Sequence, residues 1–272
     1  MTIGNIEPAA PRPGPPGSRT DATGHRQTPA IAIRVDDRIP DMFGEYARQR
    51  IHAVARHCPV PIESIRIRLA DHRESAVAHA FVAQADITAS RPVRVQVTGA
   101  TARDAVDALQ ARTRARLRTL SAPHHTPWDG HGVRAATLLY LRPAQERTIV
   151  RNKRFRLQHR TPAEAAVDMA LMDYTFELFS ETGTEVASVL YRTTHNGYRL
   201  IRLDKRSLTV TADSRHILVD PRPAPRLNRD QALTRLSLSG SPFLFYRDPD
   251  LDRGCVLYHR FDGHYGFMTS RQ

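Results

Sequence analysis

Apolar and polar residues alternate over Ile31–Val35, with Ile31, Ile33 and Val35 on one face, which predicts a strand. Pro40-Asp41 then opens a predicted helix that runs to about His57. Its apolar set Phe43, Ala47, Ile51, Val54 and Cys58 follows helical spacing, and Pro59 and Pro61 end it. Three strands are expected next, over Glu63–Ala70, Val77–Ile87 and Val93–Thr98, with a turn at Asp71–Ser75. In the first of these Ile65, Ile67 and Leu69 share one face and Arg66 and Arg68 the other, as in a half-buried antiparallel sheet. A second helix starts at Thr101, whose hydroxyl can cap it, and reaches about Leu120 on the stripe Ala102, Val106, Leu109, Leu117 and Leu120. The order βαβββα predicts an α+β domain, two helices on one face of a four-stranded sheet.

After residue 147 the pattern repeats. A shift of about 67 positions superimposes two gapless copies: Thr161 meets Asn228, Ala165 meets Ala232, Leu171 meets Leu238 and Phe176 meets Phe243. Val189-Leu190-Tyr191 meets Val256-Leu257-Tyr258, and Tyr198 meets Tyr265. Each copy reads as a small βαβββ unit; in copy one the elements are Arg154–Leu157, Pro162–Met172, Thr175–Phe179, Val186–Arg192 and Tyr198–Arg202. The shared positions are mostly apolar or aromatic, so the repeat describes a duplicated core. The expected division is a disordered tail over 1–29, a basic domain over 30–120, a linker over 121–147, and copies over 148–204 and 205–272. The prolines of Pro8–Pro16 mark the tail, and Ala136–Leu141 is the linker's one apolar stretch.

Charge adds a partner to this outline. The formal net charge is +12 and the pI about 10.5, which points to a polyanion. All the basic residues except Lys153 and Lys205 are arginine, whose planar fork grips phosphate bidentately and stacks on bases. Two cysteines, Cys58 and Cys255, support neither a disulfide framework nor a zinc finger. No apolar run approaches a bilayer span, and no signal-peptide h-region opens the chain, so a cytoplasmic protein is expected.

With these elements placed, the chain resembles the long hibernation-promoting factors of the S30EA, or sigma-54-modulation, family. Ile149-Val150-Arg151-Asn152-Lys153-Arg154-Phe155-Arg156-Leu157 looks like the opening strand of that family's C-terminal domain. Glu164-Ala165, Met169, Phe176, Phe179, Thr182-Gly183, Val189, Tyr191-Arg192, Gly197-Tyr198 and Leu200-Ile201 follow in register. In copy two, Asp262-Gly263-His264-Tyr265-Gly266 resembles the closing hairpin. The N-terminal domain is similar by element order, with Glu45-Tyr46 and Ile51 on the first helix and Ala105-Val106, Leu109, Arg112 and Leu117 on the second. Two C-terminal copies resemble the family's hypoxia-associated variant. The resemblance implies a non-enzymatic protein seated on the 30S subunit, in the mRNA and tRNA channel, through 16S rRNA and some ribosomal proteins. There it blocks initiation and preserves idle ribosomes during stress or dormancy. No cofactor, metal, membrane or small-molecule substrate is expected.

The residues expected to hold rRNA are Arg48, Arg50 and Arg56 on the first helix and Arg112, Arg114, Arg116 and Arg118 on the second. Gln110–Leu120 contains four arginines and no acid, so pairs within that stretch cannot neutralise them. The family usually has leucine at Thr113, glutamate at Arg114 and arginine at Ala115, so this chain departs from it there. The competing readings are an ordinary solvated helix face and a general structured-RNA binder, separable by preference for ribosomes over duplex RNA. A nuclease would need an acidic cluster, which Asp71, Glu74 and Asp86 do not form.

In the family, single C-terminal domains pair two ribosomes. Here Phe176, Leu178 and Leu190 are read as alternating with Phe179, Val189 and Tyr191, and Phe243 and Phe245 with Leu244 and Tyr246. The expected pairing surface is Phe176, Phe179, Val189, Tyr191, Phe243, Tyr246, Val256 and Tyr258. A neighbouring copy at high effective concentration favours pairing in cis over a homodimer, and Pro221, Pro223 and Pro225, where copy two should have its first strand, blunt an edge. A degenerate copy two with dimerisation in trans is the alternative.

Other motifs fit bland explanations. His124, His125 and His131 around Trp128 lack the preorganisation of a metal site and suit base stacking better. Asp248, Asp250 and Asp252 fail the calcium-loop template at Arg253 and His259, so a hairpin turn suffices. Cys58 ends an apolar helix stripe and reads as core.

Overall fold

A computed structural model describes residues 29–72, 81–121, 143–193, 197–204, 216–260 and 263–271. The expected tail, the histidine-tryptophan linker motif and Ala136–Leu141 lie outside the described residues, as does most of the Asp71–Ser75 turn. The chain divides into two compact units. The first is built on 29–71 and 81–121 and includes Leu171–Asp173; the second holds the remaining described residues.

The first unit is the expected βαβββα domain: β1 (Ala30–Val35), α1 (Met42–Arg56), β2 (Ile62–Asp71), β3 (Phe81–Ala89), β4 (Val93–Gly99) and α2 (Ala102–Ser121). The sheet order is β1-β2-β3-β4, with β1 parallel to β2 and the other pairs antiparallel. The period of two carries one apolar face across all four strands. Ile33 pairs with Ile67, Ile67 with Ala85, and Ala85 with Val95. Against this face α1 buries Ala47, Ile51 and Val54, and α2 buries Val106, Leu109, Thr113 and Leu117. Thr101 caps α2 as its sequence suggests: its Oγ1 accepts from the Asp104 amide while the Asp104 carboxylate accepts from the Thr101 amide. Gly99, at the end of β4, touches the Ala105 backbone so closely that no Cβ would fit.

The second unit holds β5 (Ile149–Phe155), β6 (His159–Arg160), α3 (Pro162–Met172) up to Ala170, β7 (Phe176–Glu181), β8 (Val186–Arg192), β9 (Tyr198–Arg202) and β10 (Ile217–Val219). It continues with α4 (Arg229–Ser239), β11 (Phe243–Asp248), β12 (Arg253–His259) and β13 (Tyr265–Ser270). The repeat is visible in the caps. Thr161 with Glu164, and Asn228 with Gln231, form the same reciprocal box 67 residues apart. It is also visible at the short edge strand, where β6 beside β7 is matched by a single bridge from Arg226 to Arg247.

One expectation about the copies is corrected. The opening strand of copy one begins at Ile149 instead of Arg154, and it does not join its own sheet. The two sheets are ordered β10-β9-β8-β7-β6 and β11-β12-β13-β5. Strand β5 runs parallel to β13 of copy two, and β10 runs parallel to β9 of copy one. Each copy therefore lends its first strand to the other: Ile217 enters the core beneath α3, and Ile149 packs on the core beneath α4. The first strand of copy two also precedes Pro221, so the proline run follows that strand instead of occupying it. Asp248 closes the turn after β11 by accepting from the amides of Asp250 and Leu251.

Candidate nucleic-acid interface

Helices α1 and α2 run parallel. Tyr46 and Arg50, early in α1, meet Arg103 and Asp107 of α2, and Val54 and His57, late in α1, share a groove with Arg114 and Leu117. At the first end the Tyr46 hydroxyl donates to Asp107 at 2.6 Å and accepts from Arg50 Nε at 2.9 Å. The Arg50 guanidinium also lies 3.2 Å from the Asp107 carboxylate. Both Arg50 and Arg103 stack over the Tyr46 ring, 5.0 and 5.5 Å from its centroid. Arg50 is thereby committed to a bridge between the helices.

The other arginines divide by flank. Arg48 donates to the Ile31 carbonyl at 2.9 Å and pairs with Glu45. Arg112 and Arg116, four residues apart on one side of α2, both donate to the Asp173 carboxylate, which falls within the same unit. Arg56, Arg114 and Arg118 are exposed. The interhelical cleft is thus lined by Arg50, Arg103, Arg114 and Arg118, and not by Arg112 and Arg116. Parallel packing turns the 103/107/114/118 side of α2 towards α1 and the 112/116 side away.

Between the C-terminal halves of the helices lies a groove of about 390 Å³. Its floor is Val54, Cys58 and Leu117, all buried, and His57, Arg114 and Arg118 stand at its rim. None of the described residues lining it is acidic. Cys58 takes the core position expected of it.

The helix-free face of the sheet is polar and basic. Arg34 on β1 lies opposite Arg68 on β2, and Arg66 opposite Asp86, which itself pairs with Arg94. Burial and the Arg34 guanidinium both lower the proton affinity of Arg68 below arginine's ordinary range. The sequence exposed Arg66 and Arg68 as one face; the Arg34 neighbour needed the β1–β2 register.

In the second unit, six of the eight residues expected at the pairing surface share one cluster between the two sheets: Phe176, Val189, Tyr191, Phe243, Val256 and Tyr258. Leu178, Phe245 and Met268 join them. Phe179 and Tyr246 do not; they lie beneath α3 and α4 in the two helix-side cores. The register explains this. Phe176 pairs with Tyr191 and Leu178 with Val189, so these four share a face, and Phe179 falls on the other with Leu190. The aromatic contacts are reciprocal. Phe176 and its repeat equivalent Phe243 have ring centroids 4.6 Å apart, Phe176 meets Tyr258 at 5.8 Å, and Phe243 meets Tyr191 at 5.3 Å. A residue touching its own equivalent is the signature of a two-fold arrangement.

No cluster of three or more candidate metal ligands occurs among the described residues. Among them, too, no helix is long and apolar enough to cross a membrane.

Comparison with known proteins first defines the class of domain. Residues 144–200 and 219–267 match the family described as sigma 54 modulation/S30EA ribosomal protein C terminus. The two matched segments fall on the two repeat copies of the chain. Its curated relatives include the dormancy associated translation inhibitor of Mycobacterium tuberculosis, in the strains CDC 1551 / Oshkosh and ATCC 25618 / H37Rv. Each is 32% identical over 185 residues, 65% of this chain and 66% of the relative, just under two thirds of that protein's length.

Proposed function

We propose that this chain silences translation by binding the ribosome in the cytoplasm, and that it catalyses no reaction. The basic domain, residues 30–120, seats its paired helices on the sugar-phosphate surface of 16S rRNA in the 30S mRNA–tRNA channel. Arg114 and Arg118 carry most of the contact, with Arg48, Arg50, Arg56, Arg112 and Arg116 contributing from the same two helices. The observation that carries this reading is the groove rim, where His57, Arg114 and Arg118 converge with no acid among the described lining residues. Folded RNA is recognised by shape and backbone more than by base edges, which suits arginines on parallel helices. The relative's name, a translation inhibitor associated with dormancy, supports the same reading.

The tandem copies, 148–204 and 205–272, pair with each other in cis, so the chain holds ribosomes singly. The reciprocal strand exchange and the self-contacting Phe176 and Phe243 support this arrangement.

Co-sedimentation of the full-length chain with 30S and 70S particles tests the interface. An Arg56→Gln/Arg118→Gln double variant is expected to bind more weakly, with a salt dependence shallower by about two released counterions. Wild-type affinity in that variant would refute the assignment. If competitor duplex RNA strips the wild type from ribosomes, the chain is a general RNA binder.

A further inference from the structure

We propose that the groove between the C-terminal halves of α1 and α2 is a nucleotide pocket that takes one unstacked base of the bound RNA and fixes its phosphate on Arg114 and Arg118. The inference rests on the RNA-binding reading above and gives it a specific contact.

The groove differs from a simple electrostatic rail. A rail for phosphates needs only cations, whereas this one has an apolar floor of Val54 and Leu117 beneath two guanidiniums. Its volume of about 390 Å³ lies in the ~300–1,000 Å³ range of small-ligand sites. An unstacked base offers a π face to an apolar floor or a guanidinium plane, and its phosphate offers the charge that two arginines match. His57 adds a directional group. Its Nδ1 lies 2.7 Å from the Ala53 carbonyl, which can only accept, so Nδ1 donates there, and in the neutral ring Nε2 is the acceptor. A base amino group is the complementary donor. Two arginines at a rim with no acid among the described lining residues select an anionic ligand, and the apolar floor selects one with a flat aromatic part.

Ala53 provides the test, because it is an exposed helix residue lining the groove. Ala53→Phe fills the space from the solvent side and leaves every charge in place. The full-length chain is photo-crosslinked to a single-stranded RNA oligonucleotide carrying 4-thiouridine, and its ribosome affinity is measured by co-sedimentation over a salt series. The expected result is cross-linking to residues 53–59 or 114–118, lost in Ala53→Phe. Ribosome affinity should fall about tenfold at an unchanged salt slope, the worth of roughly one stacked base. Arg114→Gln should weaken binding and also flatten the slope.

Wild-type affinity and cross-linking in Ala53→Phe would overturn the pocket while leaving the ribosome-binding reading intact. A wild type that fails to bind ribosomes but cross-links in the groove would do the reverse. If Ala53→Phe abolishes binding of poly-glutamate and spares the RNA cross-link, the groove holds an acidic peptide and the nucleotide assignment is wrong.

Discussion

Single residues show where the two repeat copies and the basic domain depart from apolar packing. Thr113 is fully buried on the core stripe of α2, and its Oγ1 finds no hydrogen-bond partner among the described residues. A desolvated, unpaired hydroxyl costs about 1–3 kcal/mol. Thr113→Val, which keeps the shape and removes that group, is therefore expected to stabilise the chain by about 1 kcal/mol. Urea unfolding should show a higher midpoint at an unchanged slope. Glu177 presents the same problem with a titratable group. It faces Leu190 across the ladder, its Oε2 has no hydrogen-bond partner among the described residues, and burial, with Asp168 nearby, pushes its pKa from 4.5 up to about 8 against the pull of Arg160. The folded state then holds a proton between pH 4.5 and 8 that the unfolded chain has released. Stability from this group is complete at the acid end of that window and declines as pH rises through it. Glu177→Gln should flatten the decline in unfolding midpoints, and an unchanged pH slope would show that another group carries it. Copy two has Leu244 at the equivalent position. It also has Asp248 and Thr269 where copy one has the buried pair of Glu181 and Arg202, and Thr269 there accepts from the Cys255 thiol.

Elements were legible wherever their periodicity was strong. The sequence placed both helices of the basic domain and its strands to within a few residues, because capping residues, prolines and the two-residue alternation all agree there. Strand β6 escaped notice, since two residues carry no period. The face assignment in β7 and β8 failed for a physical reason: both faces of these strands are apolar, so alternation cannot say which side looks at the helix. Only the pairing of Leu178 with Val189 settles that Phe179 lies beneath α3. Along β11 the expected alternation of Phe243 and Phe245 with Leu244 and Tyr246 holds, and it takes Tyr246 out of the pairing surface into the core beneath α4. The positions of the candidate arginines on the two helices were legible in the sequence. It could not rank them, because Asp107 and Asp173, which hold Arg50, Arg112 and Arg116, lie 57 to 61 residues away in the chain.

For the whole molecule, the strand exchange within the second unit bears on oligomeric state. Strand β5 completes the sheet of copy two and β10 that of copy one, so the apolar surface between the sheets is filled from within one chain. A neighbouring copy on a short linker has an effective concentration on the order of mM, above that of any partner chain in dilute solution. Sedimentation velocity should therefore show a monomer from micromolar to hundreds of micromolar concentration. A concentration-dependent dimer would show that the copies pair in trans. Composition and periodicity by themselves determined the strongly basic charge, the βαβββα domain and the duplication, since these are sums and local repeats along the chain. The tertiary structure decided which copy receives each opening strand, which arginines face the interhelical cleft, and which aromatic residues meet. Those depend on backbone hydrogen bonds and packing between segments far apart in sequence, and two strands of equal apolarity carry no label for their partner.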